Sequence, residues 1–110
     1  MPLLERVRIE VYLPESQIPD YENLLQSLAK ELTYAFGGCS IVRGMEGRYL
    51  SVLGQHIPDR INLLYCDAPL ALSLDFAIVA AYSRELKERV MDSLAEEDVM
   101  VSVGQVYHAV

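Results

Sequence analysis

The side chains best suited to acid–base chemistry in this sequence are its two histidines, His56 and His108. A general base or metal ligand would have to be one of these imidazoles, or a carboxylate that the fold brings close. His56 precedes Pro58-Asp59 in a segment of loop character, so we expect it to be solvated. His108 follows Tyr107 at the end of a predicted strand and is the better candidate.

A polar face on the first predicted strand offers partners for His108. The segment from Val7 to Leu13 alternates apolar and polar residues and stops at Pro14, which predicts a β-strand with Arg8, Glu10 and Tyr12 on one face. The candidate ligand or interface residues are Arg8, Glu10, Tyr12, Asn62 and His108. The alternative is a cross-strand salt bridge with hydrogen-bonding side chains beside it.

A second group of candidates belongs to the predicted loop region and consists of Arg43, Arg48 and His56. The neighbouring run from Gly44 to Gly47 has no phosphate-loop pattern and does not open a helix. Two glycines three residues apart in an extended segment favour a bulge or bend instead.

The two cysteines, Cys39 and Cys66, are isolated from each other and from histidine. Zinc sites need clustered Cys and His ligands, so these positions favour a reduced, packed pair over a metal site or a disulfide. We expect no metal and no cofactor.

Composition limits the class of protein. The chain has 110 residues, of which 52% are hydrophobic, and a net charge of -7. This predicts a single domain over residues 1–110 and excludes a disordered chain or a disulfide scaffold. The acidic balance argues against a nucleic-acid partner. Without a signal-peptide pattern or an apolar run of roughly 20 residues, we expect a soluble, cytoplasmic protein with no membrane partner.

The remaining periodicity predicts two helices and three more strands. A helix over about 20–36 has Asp20 as a plausible N-cap and ends at Gly37-Gly38. Strands over 39–52 and 60–66 form a long irregular hairpin around a loop at 53–59. A helix over about 73–95 competes with a strand followed by a helix from Ser83. A last strand runs from Val99 to about His108.

The order β-α-β-β-α-β predicts a ferredoxin-like sandwich, an antiparallel sheet of strand order 4-1-3-2 with both helices on one face. Its open face would also carry residues of the third and fourth strands, namely Asn62, Leu64, Cys66, Met100, Ser102, Gly104, Val106 and His108. Apolar side chains on an uncovered face favour association, so we expect a homo-oligomer through that face. A ligand pocket on the face and a solvated sheet are the alternatives.

Two runs of the sequence stand out. One extends from Gly37 to Tyr49, with Gly54 after it, and the other from Glu96 to Val101, leading into Val106-Tyr107-His108. Both resemble a set of small uncharacterised bacterial proteins with a Gly-Gly-x-Ser/Thr turn. That resemblance implies a fold and no established activity. The chain is also similar in architecture to nitrogen-regulatory P-II-like signalling proteins, which implies trimeric assembly and a long loop, here about 43–59.

In the P-II family, basic residues at the loop bases hold nucleotide phosphates. This chain offers only Arg43, Arg48 and Arg60 there, with no lysine between Lys30 and Lys87. The sequence therefore favours a non-catalytic, homo-oligomeric binding or regulatory module. The alternatives are a small enzyme or ligand-binding protein with its site on the open face, and an adaptor that recognises a protein partner through the 43–59 loop.

Overall fold

The computed structural model describes residues 2–110 and has an α+β fold, with one four-stranded antiparallel sheet and two helices. The elements are β1 (Leu3–Pro14), α1 (Tyr21–Phe36), β2 (Ser40–Leu50), β3 (His56–Ala68), α2 (Leu72–Leu94) and β4 (Met100–Ala109). The strand order is β2-β3-β1-β4, which is the predicted order counted from the other edge. None of the helices in the described residues is long and apolar enough to span a membrane.

The core forms where the apolar face of β1 meets both helices. Val7, Ile9, Val11 and Leu13 are at most 1% exposed, as their alternation with polar residues predicts. The buried helix residues of the same cluster are Leu25, Leu28, Ala29 and Leu32 from α1 and Val79, Leu86, Val90 and Leu94 from α2. Each large side chain so buried contributes about 1.5–3 kcal/mol to stability.

The C-terminal cap of α1 is as predicted, whereas its N-terminal cap differs from the prediction. Gly37 takes the left-handed conformation, with φ 95°, and its N–H donates to the Thr33 carbonyl. Asp20 stands at the predicted N-cap position, but its side chain makes no capping hydrogen bond. Its backbone carbonyl accepts from Leu24 instead, at 2.9 Å.

α2 is one continuous helix, so the strand alternative for its first half is wrong. Its buried residues recur at steps of three and four from Val79 to Leu94, which keeps one stripe on the core. Leu74, Phe76 and Ile78 are 85%, 66% and 68% exposed whereas Val79 is 2% exposed, so this apolar segment buries one stripe of a helix.

The hairpin of β2 and β3 has a shorter turn than predicted, because β3 begins earlier. β3 begins at His56 rather than residue 60, and the turn spans only residues 51–55, where Ser51 N–H donates to the Gln55 carbonyl at 2.8 Å. Pro58 is part of the strand, opposite Arg48. β1 ends opposite Ile61, so Pro58 of β3 has no hydrogen-bonding partner on the β1 side of the strand. A strand tolerates proline at such a position.

The predicted irregularity in β2 is confirmed at its first glycine. The pairing of β2 with β3 shifts between Val42 and Met45, and Gly44 has φ 68°. A positive φ is cheap only for glycine, so Gly44 supplies the torsion that this bulge needs.

Candidate functional site

The face of the sheet away from the helices differs from the predicted face in its β3 residues. β3 pairs Cys66 with Ile9 and Leu64 with Val11, and directly opposite residues share a face. Leu64 and Cys66 are therefore core residues, 0% and 2% exposed, and their predicted place on the open face is wrong. A parity error of one residue moves every side chain of a strand to the other face.

The β4 residues of the open face are placed as predicted. Met100, Ser102, Gly104, Val106 and His108 lie opposite β1 residues of the open face. β3 contributes its other parity, which comprises Ile61, Leu63, Tyr65 and Asp67. We call the surface formed by these residues and the polar side chains of β1 the open face.

One polar cluster on the open face joins β1, β3 and β4 through Asp67. Arg8 donates to both carboxylate oxygens of Asp67, at 2.7 and 2.9 Å, and His108 Nε2 lies 2.7 Å from Oδ2. The Arg8 guanidinium also stacks 4.7 Å above the Tyr65 ring. The Arg8 hydrogen bonds lower the pKa of Asp67, with a smaller contribution in the same direction from His108.

Asp67 is the residue that sequence reasoning missed at this site. The predicted strand ended at Cys66, and the parity assigned to it put Asp67 on the wrong side. The signal that could have found it is a carboxylate next to Cys66, whose apolar character places Asp67 on the polar side of the strand. Asp67 is directly opposite Arg8 in the register, which is the salt-bridge geometry of the alternative interpretation.

A second cluster surrounds Glu10. Ser102 Oγ donates to Glu10 Oε1 at 2.9 Å, and the Tyr12 hydroxyl donates to Oε2 at 3.3 Å. Burial raises the pKa of Tyr12, and the charge of Glu10 raises it further. The predicted candidates of the open face thus form two groups. Arg8 and His108 meet at Asp67, whereas Tyr12 and Ser102 both bind Glu10.

Asn62 does not belong to the open face, which corrects its assignment as a ligand candidate. It is 4% exposed, its Oδ1 accepts from the Gly44 N–H at 2.9 Å, and its Nδ2 donates to the Tyr21 hydroxyl at 3.0 Å. That hydroxyl donates in turn to the Leu13 carbonyl, at 3.2 Å. Asn62 therefore connects the bulge to α1 and β1 and has a structural role.

The three loop candidates do not converge. Arg43 binds Glu22 on α1 through contacts of 2.6 and 3.0 Å, which lowers the pKa of Glu22 to about 2. Arg48 binds Glu46 on its own strand. His56 is exposed and is the first residue of β3, not part of a loop.

Apolar side chains lie in one row across the open face, at the Tyr12 end and beyond the Glu10 cluster. Met100 and Val42 are 55% and 42% exposed at opposite sides of the sheet, while Leu63 between them is 8% exposed beneath its neighbours. An open groove of about 680 Å³ lies at the end of the face where β4 begins. Its walls combine apolar, tyrosine and acidic residues from the sheet and the α2–β4 connection, and they comprise Tyr12, Pro14, Tyr49, Asp59, Ile61, residues 95–98, Val99 and Met100.

The cysteines offer no activated thiolate. Cys66 is buried and Cys39 half-buried, and both are free. Burial raises the pKa of Cys66 to about 12 and raises that of Cys39, so both thiols stay protonated near neutral pH. Over residues 2–110, no group of three or more His, Cys, Asp or Glu side chains could hold a metal ion.

Comparisons of the chain with protein-family models, with curated proteins and with solved structures gave no match.

Proposed function

We propose that this chain is a non-catalytic binding module of ferredoxin-like architecture that forms a homo-oligomer by covering its open face. The proposal rests on the hydrogen bonding of the two carboxylates on that face. Asp67 and Glu10 each accept hydrogen bonds on both carboxylate oxygens from side chains of the same face.

Such pairing lowers the cost of removing the face from water. A charge that loses its hydration without a partner costs several kcal/mol, whereas a paired and hydrogen-bonded charge costs far less. Met100, Val42 and Ile61, at one end of the face, then supply apolar area, at about 25 cal/mol per Å² buried. A polar centre that is already paired, with apolar side chains at one end of it, fits an interface better than a site that must exchange partners with a substrate.

We propose a regulatory role for the module in the cytoplasm; the resemblance to P-II-like proteins is architectural only, and we do not extend it to nucleotide binding. Arg43 pairs with Glu22 and Arg48 with Glu46, so the two guanidinium groups do not converge on one phosphate position. The connection between β2 and β3 is a tight turn at residues 51–55, with its flanking residues paired in the hairpin. The adaptor proposal based on a long 43–59 loop therefore loses its structural basis.

A ligand site on the open face is the second candidate, and one contact favours it. His108 is 44% exposed in its side chain and is oriented by Asp67, which leaves a positioned imidazole in contact with solvent. Native mass spectrometry of the purified protein tests this candidate. A small molecule retained by the wild type and lost in His108→Ala supports it, and a wild type without added mass opposes it.

Sedimentation velocity at micromolar concentration tests the proposed interface. Met100→Lys and Val42→Lys place a charge at either side of the open face and should each weaken assembly. Leu53→Lys is the matched control, since Leu53 is an exposed apolar residue of the hairpin turn, 82% accessible. A wild type that remains strictly monomeric, or face variants that assemble as well as the control, would refute the proposal.

A further inference from the structure

β4 is an edge strand without any of the features that usually protect such an edge. It pairs only with β1, in an unbroken register of ten residues from Leu3–Ala109 to Tyr12–Met100. Its ten residues include no proline and no Asp, Glu, Lys or Arg. The outer side of such a strand presents unpaired N–H and C=O groups that can accept another strand.

The opposite edge, β2, is protected. It contains the bulge at Gly44, and Arg43, Glu46 and Arg48 lie along it. Bulges and charged side chains are the means by which natural sheets prevent edge pairing. The two edges therefore differ in kind, although both belong to the same sheet.

We infer that β4 pairs with β4 of a second copy, antiparallel across a two-fold axis, to form a continuous eight-stranded sheet. With the axis at Gly104, Val101 lies opposite Tyr107, Val103 opposite Gln105, and Met100 opposite His108 of the other copy. The pair of Val101 and Tyr107 joins a β-branched and an aromatic side chain, a combination that stabilises antiparallel ladders, and no like charges lie opposite each other. A two-fold axis requires such self-complementarity of the strand.

The self-complementary register favours a second copy as the partner, and the lack of charge on β4 permits that pairing. Two molecules of net charge -7 repel each other, so they associate most readily through a surface without carboxylates. β4 is such a surface, and a second copy brings a strand of the same length and the same lack of charge.

The first half of the helix above this edge is also largely uncharged. Residues 76–83 of α2 carry no charge, and Tyr82 and Arg89 contact Glu31 of α1. At 100° per residue, the side of α2 away from α1 therefore carries Phe76 and Ala80 in this half of the helix, and Arg84 and Lys87 in the next. In the two-fold pair this side approaches the α2 of the other copy and covers Phe76, which is 66% exposed in the single chain.

This inference goes beyond the open-face proposal, because it uses a strand edge and the helix side of the molecule. Either interface can form without the other. Val42→Lys, on the β2 side of the open face, should leave β4 pairing unchanged.

Amide hydrogen exchange followed by NMR tests the pairing directly. In the wild type, the outward amides of β4 should become protected as protein concentration rises, while the outward amides of β2 keep exchanging rapidly. If the outward amides of β4 exchange as fast as those of β2 at the highest concentration, the inference is wrong.

A charge variant gives an independent test. Gly104→Lys/Gln105→Lys adds two charges at the axis, and a Cβ at Gly104 meets nothing within 4 Å. Gly38→Lys/Gln55→Lys is the matched control, with the same exchanges at exposed positions and the same open space at Gly38. Like charges at an interface cost several kcal/mol, so the dimer dissociation constant should rise by more than about tenfold in the β4 variant alone. Equal constants for the two variants would overturn the inference.

Discussion

Replacing Asp67 by asparagine tests whether the polar centre of the open face is a stabilising network. The substitution keeps the shape of the side chain and removes its charge. Asp67 accepts two hydrogen bonds from Arg8 and contacts His108 at 2.7 Å, and its side chain is only 15% exposed. Asparagine offers one acceptor oxygen, so the bidentate contact with Arg8 is lost.

The magnitude follows from the exposure of the partners. Hydrogen bonds to charged groups contribute about 1.5–3 kcal/mol each, but the Arg8 and His108 side chains are 37% and 44% exposed and regain water when Asp67 changes. We therefore expect Asp67→Asn to lower the free energy of unfolding at pH 7 by about 2 kcal/mol, the equivalent of one strong charged contact.

Urea unfolding followed by far-ultraviolet circular dichroism measures this change, and Glu46→Gln is the matched control. Glu46 also binds an arginine through two contacts, but both side chains are exposed, 65% for Glu46 and 62% for Arg48. An exposed pair of this kind contributes roughly 0–1 kcal/mol. If Asp67→Asn costs no more than Glu46→Gln, the assignment of the cluster as a pre-paired, stabilising centre is refuted.

Three further predictions concern the interior and the response to acid. Asn62→Ala should lower the free energy of unfolding by about 1–3 kcal/mol, because it removes a buried side chain that bonds the half-buried Gly44 N–H and the Tyr21 hydroxyl. A loss smaller than this range in chemical denaturation would contradict that role. Ser83→Ala should raise the melting temperature, since Ser83 Oγ is buried and has no hydrogen-bond partner among the described residues, and calorimetry that finds a decrease contradicts this. The pKa of Asp67 is lower in the folded state than in the unfolded state. The charged Asp67 therefore contributes fully to stability at pH values above its unfolded-state pKa, and this contribution is lost as the pH falls through its folded-state pKa. The stability difference between wild type and Asp67→Asn should therefore shrink under acid, and a constant difference from pH 7 to pH 2 would contradict the linkage.

The helices and strands could be predicted from the sequence, but the pairing register of β3 with β1 could not. Alternation in β1 and the three- and four-residue steps in α1 and α2 are local signals, so these elements follow from the chain itself. Which face Asn62, Leu64 and Cys66 share depends on pairing with β1, a contact between residues distant in sequence. Within residues 60–66 apolar residues occupy both parities, and the signal that separates them, Asp67, lies beyond the predicted end of the strand.

The candidate site shows the same limit. Arg8, Glu10, Tyr12 and His108 were correctly placed on the open face, since the strong alternation of β1 and the parity of β4 fix them. Asp67, which joins two of them, was missed because the strand continues two residues past its predicted end. The hairpin turn was predicted too long for a similar reason, as Pro58 is a poor strand former except where a ladder partner is missing.

The bulge at Gly44 bears on how large an assembly of this chain can become. A sheet with two bare edges can add copies without end, and open-ended addition of strands produces fibres. Here the distorted and charged edge lies on the far side of the sheet from β4, so a pair joined at β4 presents only β2 at both ends. Growth by strand addition then stops at two copies, and a single glycine torsion helps to keep a chain that is 52% hydrophobic from polymerising.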